Sequence, residues 1–306
     1  MKTALILGIT GVFGRHTALA LQATGWKIKA MMREPKPVDE FNNMDIVKGD
    51  VANYTDVKHA AENIDLIVYG ISPPNYDWEG KVVEWLDVCA SVAEEKQLAI
   101  VFPGNVYNFD PNEMNTIDET SPQHPITSKG ELRKEMEQRL ARAAKNGAQV
   151  IILRMGDYIA PNAKQSWISH IIQHRKTKIK ISSPGDINLK RTWAYVPDAA
   201  KTAAMLCEKL GDLPAFNVFH FKGYQASIAD IATTVSSISD KPVTIKQYPW
   251  WALYMVRPFL SAVRGIFEMR YLWNIELNMQ DEKLKKTLAN IPSTPLKEAL
   301  SRSCNL

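Results

Sequence analysis

Three glycines between an apolar run and a helical pattern constrain this chain more than any other feature. Thr3–Leu7 is an apolar run that ends in glycine and reads as a buried strand. Gly8, Gly11 and Gly14 follow at a spacing of three, and a helix pattern then continues to about Thr24 and stops at Gly25. Glycine permits the tight turn out of a strand and lets backbone amides approach a pyrophosphate, while the last glycine allows the helix to pack closely on the strand. A helix N-terminus adds free N–H groups and a partial positive charge for the anion. The spacing is GxxGxxG rather than the commoner GxGxxG, and a glycine triplet also describes an ordinary strand–helix turn. The strand before, the helix after and the packing residues Ala18, Leu19 and Ala20 favour a cofactor loop, with Thr10, Val12 and Phe13 lying between its glycines.

Strand–helix alternation continues beyond the loop. Strands are expected at Lys27–Met32, Asp45–Lys48, Asp65–Tyr69, Ala99–Phe102 and Val150–Leu153, with helices at residues 55–63, 80–96 and before Asn146-Gly147. In the last helix Leu132, Met136, Leu140 and Ala144 recur every fourth residue. Such alternation implies parallel strands with helices on both faces. The expected fold is therefore α/β, a doubly wound parallel sheet of Rossmann type with a smaller C-terminal lobe. Residues 1–157 form the dinucleotide-binding domain, residues 190–212 return to it, and 158–306 are mainly the substrate lobe. Asp198 is read as the N-cap of a helix at Ala199–Leu210.

Arg33 follows the second strand, 19 residues beyond Gly14. An acidic residue near that place accepts hydrogen bonds from an NAD ribose, whereas a guanidinium suits a 2′-phosphate. This favours NADP over NAD; the plain alternative is a solvated arginine at a strand end.

Further segments resemble the extended short-chain dehydrogenase/reductases, the NAD-dependent epimerase/dehydratase group. Leu7–Gly14 resembles the family's TGxxGxxG loop, and Lys48-Gly49-Asp50-Val51 its GD segment, which implies that Asp50 and Val51 hold the adenine. Tyr69–Pro73, with Gly70, falls where the family's backbone passes the cofactor ribose. Val106-Tyr107, Arg154-Met155-Gly156-Asp157 and Tyr195-Val196-Pro197-Asp198-Ala199-Ala200 resemble three later signatures. The family's chemistry uses a tyrosine acid/base, a lysine four residues later and a serine or threonine. Lys129 stands at the lysine position, which implies a bond to the nicotinamide ribose. The tyrosine position is Pro125 and the serine position is Pro103, so two of the three groups are missing. Tyr107, His124 and Tyr195 are the candidate substitute acids.

Bulk features narrow the classes. Of 306 residues 45% are apolar and 23% charged, and the net charge of +4 is mildly basic and undiagnostic, since a dedicated nucleic-acid binder concentrates its basic residues in a stripe. Cys89, Cys207 and Cys304 form no CxxC pair or metal-ligand cluster and fit a reduced, cytoplasmic setting. The apolar start imitates a signal peptide, but glycines interrupt it, and no run is long enough to span a bilayer. Lys176, Lys178 and Lys180 alternate with Thr177, Ile179 and Ile181, the pattern of a lysine-guarded edge strand or of a site for an anionic substrate. The aromatic segment Trp250–Trp273 carries Arg257, Arg264 and Arg270 and is interrupted by Pro258 and Gly265. It reads as a lid or pocket wall, a homodimer contact, or a membrane-surface anchor. The expected function is an NADP-dependent oxidoreductase or epimerase-like protein acting on a small molecule. The alternatives are a catalytically silent, NADP-binding redox regulator and a membrane-peripheral, lipid-modifying reductase.

Overall fold

The computed structural model describes residues 1–36, 40–41, 44–73, 77–163, 166–256 and 261–304. Seven strands make the central sheet: β1 (Thr3–Leu7), β2 (Lys27–Met32), β3 (Asp45–Lys48), β4 (Leu66–Tyr69), β5 (Ala99–Gly104), β6 (Gln149–Met155) and β7 (Phe216–Phe221). Their order is β7-β6-β5-β4-β1-β2-β3, every pair parallel. The five helices packed on the sheet are α1 (Val12–Ala23), α2 (Tyr54–Ala60), α3 (Val82–Lys96), α4 (Ser128–Lys145) and α5 (Val196–Glu208). One apolar layer joins the sheet to α1 and α5, and the opposite layer joins it to α2, α3 and α4. The doubly wound arrangement follows from strands that are apolar on both faces: β4 and most of β1 are fully buried. Strand order reverses between β1 and β4, the place where an open α/β sheet leaves a crevice.

Most expected elements lie within a few residues of their observed bounds, and the differences have physical causes. β7 was not expected at all, although it runs through Phe216, Val218, Phe219 and Phe221 and extends the central sheet. Of residues 190–212, α5 packs on that sheet, whereas Arg191–Tyr195 joins a small sheet with Asp157–Ile159 and Tyr224–Ala226. Asp198 is not an N-cap. The cap position is Tyr195, and the Asp198 carboxylate, inside α5, accepts from the amide and hydroxyl of Thr294 at 2.5 and 3.0 Å. It thus pins the C-terminal segment to the sheet layer. Ile179–Ser183 is not an edge strand but the middle of three, between Ile172–His174 and Val243–Gln247. The alternation itself is as expected: Ile179 and Ile181 are buried in the C-terminal core, and Lys180 is only partly covered.

The aromatic segment splits in two. Trp273 is buried against Trp167 and Trp193, whereas Trp251, Tyr254 and Met255, on the short helix Trp250–Val256, are more than 60% exposed. Gly265 does not interrupt a helix but lies inside one, Ser261–Glu268. Arg257 and Pro258 lie outside the described residues. Among the described residues no helix is long and apolar enough to cross a membrane.

One buried polar network ties α4 to the two strands beneath it. Arg154 on β6 donates to both oxygens of Glu137 on α4, at 3.0 and 2.6 Å, and faces His220 on β7 at 3.2 Å. Gln123 donates to the same carboxylate at 2.9 Å. Arg154, Glu137 and His220 are all nearly inaccessible. Burial, and then the neighbouring guanidinium, push the His220 pKa down to about 3. Because the folded pKa lies below the ordinary 6.5, the unfolded chain binds a proton that the folded chain refuses, and stability falls as pH drops from about 6.5 toward 3. His220→Gln should flatten that decline in denaturant titrations between pH 6.5 and 5. Glu137→Ala leaves the Arg154 charge buried without its carboxylate and should cost about 3–5 kcal/mol of unfolding free energy.

Candidate functional site

A cleft of about 1040 Å³ runs along the C-terminal ends of the strands, centred on the reversal between β1 and β4. Its outer half is backbone. Gly8 has φ +91°, and a Cβ there would stand 2.7 Å from the Gly70 carbonyl oxygen. A Cβ on Gly14 would come within 2.4 Å of the Gly8 oxygen, and one on Gly70 within 2.9 Å of the Gly14 amide. These three residues therefore meet without side chains between them, and the Gly70 amide donates to the Leu7 carbonyl at 2.8 Å. Gly11 is the N-cap of α1, and its side chain-free position leaves the first turn of α1 facing the cleft. A Cβ would partly fill this cradle, which fits a pyrophosphate held by helix amides.

The expected residues Gly8, Thr10, Gly11, Val12, Phe13, Arg33, Asp50, Val51 and Gly70 all line the cleft. Gly14 does not line it but supports it from behind. Asp50 closes its own loop by accepting from the Ala52 amide at 3.0 Å, while its amide donates to Asp56 at 2.9 Å. Beside Arg33 stands Lys36, a second cation in the lining that sequence reasoning missed, with Glu34 between them in sequence.

The inner half is a separate chemical space. Tyr107 lines it, with its ring stacked on Trp78 at 6.2 Å between centroids. Lys129 is not among the lining residues: its ammonium pairs with Glu268 at 2.8 Å, and the same carboxylate accepts from the Lys129 amide at 2.8 Å. His124 pairs with Glu113 at an exposed position, and Tyr195 is buried in the C-terminal core. Neither of these lines the cleft.

Two residues overlooked in the sequence do line it. Arg133 lies one helical turn beyond Lys129, so the i, i+4 relation on α4 was the available signal. Its guanidinium lies 4.6 Å from the Trp78 ring centre and 5.5 Å from that of Phe102, and donates to the Pro103 carbonyl at 3.2 Å. Tyr158 follows Gly156-Asp157 directly. Burial pushes its phenol pKa up to about 12, against the opposing pull of Arg133. Asp157 and Arg191, also in the lining, form an ion pair.

The sequence model of the NAD dependent epimerase/dehydratase family matches residues 4–219, well over half of the chain. The protein belongs to that family. A comparison with curated proteins finds no match. Among solved structures, a candidate epimerase from Burkholderia cenocepacia J2315 superposes with TM-score 0.81 at 18% identity, over 99% of this chain and 97% of that one. A UDP-glucuronic acid 4-epimerase from Bacillus cereus, solved with UDP-glucuronic acid and NAD, gives 0.75 at 15% identity over 100% and 98%. The dTDP-glucose 4,6-dehydratase of Bacillus anthracis str. Ames, in complex with NAD, gives 0.77 at 13% identity over 100% and 96%. At these identities the likeness shows the fold.

In this epimerase/dehydratase-family chain the glycine contacts make a direct prediction. Gly14→Ala should destabilise the protein by about 1–3 kcal/mol through overpacking against the Gly8 carbonyl. Gly25→Ala, with open space around its Cβ, should show no such clash, although its φ of +90° carries backbone strain. Thermal unfolding of the two variants, side by side, separates crowding from strain.

Proposed function

We propose that this protein binds NADP(H) along the cleft and acts as an oxidoreductase or epimerase-like protein on a small molecule held in its inner half. The observation that carries the reading is the side chain-free contact of Gly8, Gly14 and Gly70 beneath the N-terminus of α1, with two cations, Arg33 and Lys36, at the end of β2. The amides of the first turn of α1 would hold the pyrophosphate, and Asp50 and Val51 the adenine. Arg33, with Lys36, would take a 2′-phosphate, a group that NAD lacks. When bound, the dinucleotide supplies a nicotinamide that gives or takes a hydride. Two of the solved structures named above were obtained with NAD, so the preference for NADP rests on these two cations.

For proton transfer the inner half offers Tyr107 and Tyr158. Pro125 and Pro103 occupy the positions where the family has its tyrosine and serine, so a hydroxyl from elsewhere must serve. Burial keeps the Tyr158 phenol protonated, as a proton donor must be, and Arg133, within electrostatic reach, pulls the other way. Lys129 would help indirectly, because its ion pair with Glu268 fastens the start of α4 to the helix Ser261–Glu268. That pairing also favours a second reading, a silent redox regulator: a lysine engaged by a carboxylate is less free to bond a ribose.

NADPH should bind more tightly than NADH, and Arg33→Ala should erode the difference by about 1.5–3 kcal/mol. Equal affinities for the two cofactors in the unaltered protein would defeat the NADP assignment. Gly11→Val should abolish binding of both in a protein that still folds, since its side chain would occupy the pyrophosphate space. Turnover of any carbonyl substrate that survives in neither Tyr107→Phe nor Tyr158→Phe would support the enzyme. Absence of turnover across a broad panel, with NADPH bound, would support the regulator.

A further inference from the structure

The ionisable side chains of the inner half, tyrosines aside, are Arg133, Asp157, Arg191 and His170. Asp157 and Arg191 cancel each other, and Arg191 is further occupied by the Leu272 carbonyl and the Trp273 ring. Arg133 is different. Among the described residues it forms no ion pair, and its buried Nε has no hydrogen-bond partner. Among the described residues it makes one hydrogen bond, to the Pro103 carbonyl. A guanidinium carries five donors and keeps its charge, so most of its donors are unused. Burial weighs against that charge, the tyrosines around it are protonated, and the carboxylate that acts on it, Glu137, is already engaged by Arg154.

We propose that Arg133 is an anion anchor in the inner half, and that the substrate is a small carboxylate with a flat, apolar body. This rests on the reading of the outer half as the dinucleotide site, which leaves the inner half for substrate. The guanidinium carbon lies 4.6 Å from the Trp78 ring centre and 5.5 Å from that of Phe102, and a planar guanidinium presents its N–H groups along its edge. A carboxylate meets such an edge with two parallel hydrogen bonds. Tyr107, partly exposed in the lining, then provides an aromatic wall on which a planar carbon skeleton can lie, while Trp78 and Phe102 are themselves buried and back the guanidinium. The uncancelled positive charge selects an anion over a neutral analogue, because a neutral group would leave the cation desolvated without compensation.

The test uses benzoate and benzamide, equal in shape and different in charge, titrated calorimetrically into the full-length protein both with saturating NADPH and without it. Benzoate should bind at least about tenfold more tightly than benzamide. Arg133→Met should remove that preference while leaving NADPH affinity unchanged, and Arg133→Lys should retain part of it. If Arg133→Met does not fold by circular dichroism, Arg133→Gln, which keeps polar donors without charge, takes its place with the same expectation. Equal binding of benzoate and benzamide, no binding of benzoate, or an unchanged preference in the variant would overturn the proposal. So would a loss of NADPH affinity in Arg133→Met as large as the loss for benzoate, which would assign the residue to the cofactor. Failure of the unaltered protein to bind NADPH at all would instead sink the dinucleotide reading, and the cofactor-free titration would still judge the anchor.

Discussion

The contact between the loop after β1 and the end of β4 is made by backbone alone. Gly8, Gly14 and Gly70 approach so closely that a single methyl group on any of them would stand within 3 Å of another's main chain. Because α1 can lie against this junction, its first turn points along the cleft instead of being lifted away from the sheet. Everything downstream in the site depends on that approach. The outer lining is set by the direction of α1, and the width at the strand reversal by the Gly70 backbone. Few interactions in a protein are so intolerant of change, since a clash with carbonyl oxygens cannot be relieved by a rotamer.

This explains why the outer half of the cleft was legible in the sequence. Glycines at a strand–helix junction state a backbone requirement directly, and Arg33, Asp50 and Gly70 sit at fixed offsets from strand ends that periodicity locates well. The seven-strand sheet was readable for the same reason, apart from β7. That strand follows the short helical turn Leu210–Asp212 and interleaves polar Asn217 and His220 with its apolar residues, which blurs the buried-strand pattern. Both polar residues are nonetheless inaccessible. His220 survives there by staying neutral beside the Arg154–Glu137 pair, a tertiary relation invisible in any local window.

The inner half was much less legible, because its chemistry depends on which of two cations one turn apart enters the cleft. Lys129 and Arg133 lie on the same face of α4. The sequence alone offers Lys129, at the position the family's pattern singles out. The carboxylate that engages it, Glu268, lies 139 residues away. Lys129, held by Glu268, still lies 6.0 Å from the Trp78 ring centre, but Arg133 is the cation of α4 that lines the cleft. The same logic applies to the proton donors: His124 and Tyr195 looked as suitable as Tyr107 until the fold put one at the surface and the other in the C-terminal core. Tyr158 had no local signal beyond its place after Gly156-Asp157.

The account rests on the assignment of the glycine junction and the first turn of α1 to a dinucleotide. Amide hydrogen exchange with and without NADPH tests this most directly, because it reads those N–H groups themselves. The account predicts that the peptide covering residues 8–16 gains protection on adding NADPH, together with the peptide covering residues 49–51, while the sheet of the C-terminal lobe is unchanged. Protection confined to the C-terminal lobe, or none at residues 8–16 at saturating NADPH, would contradict it.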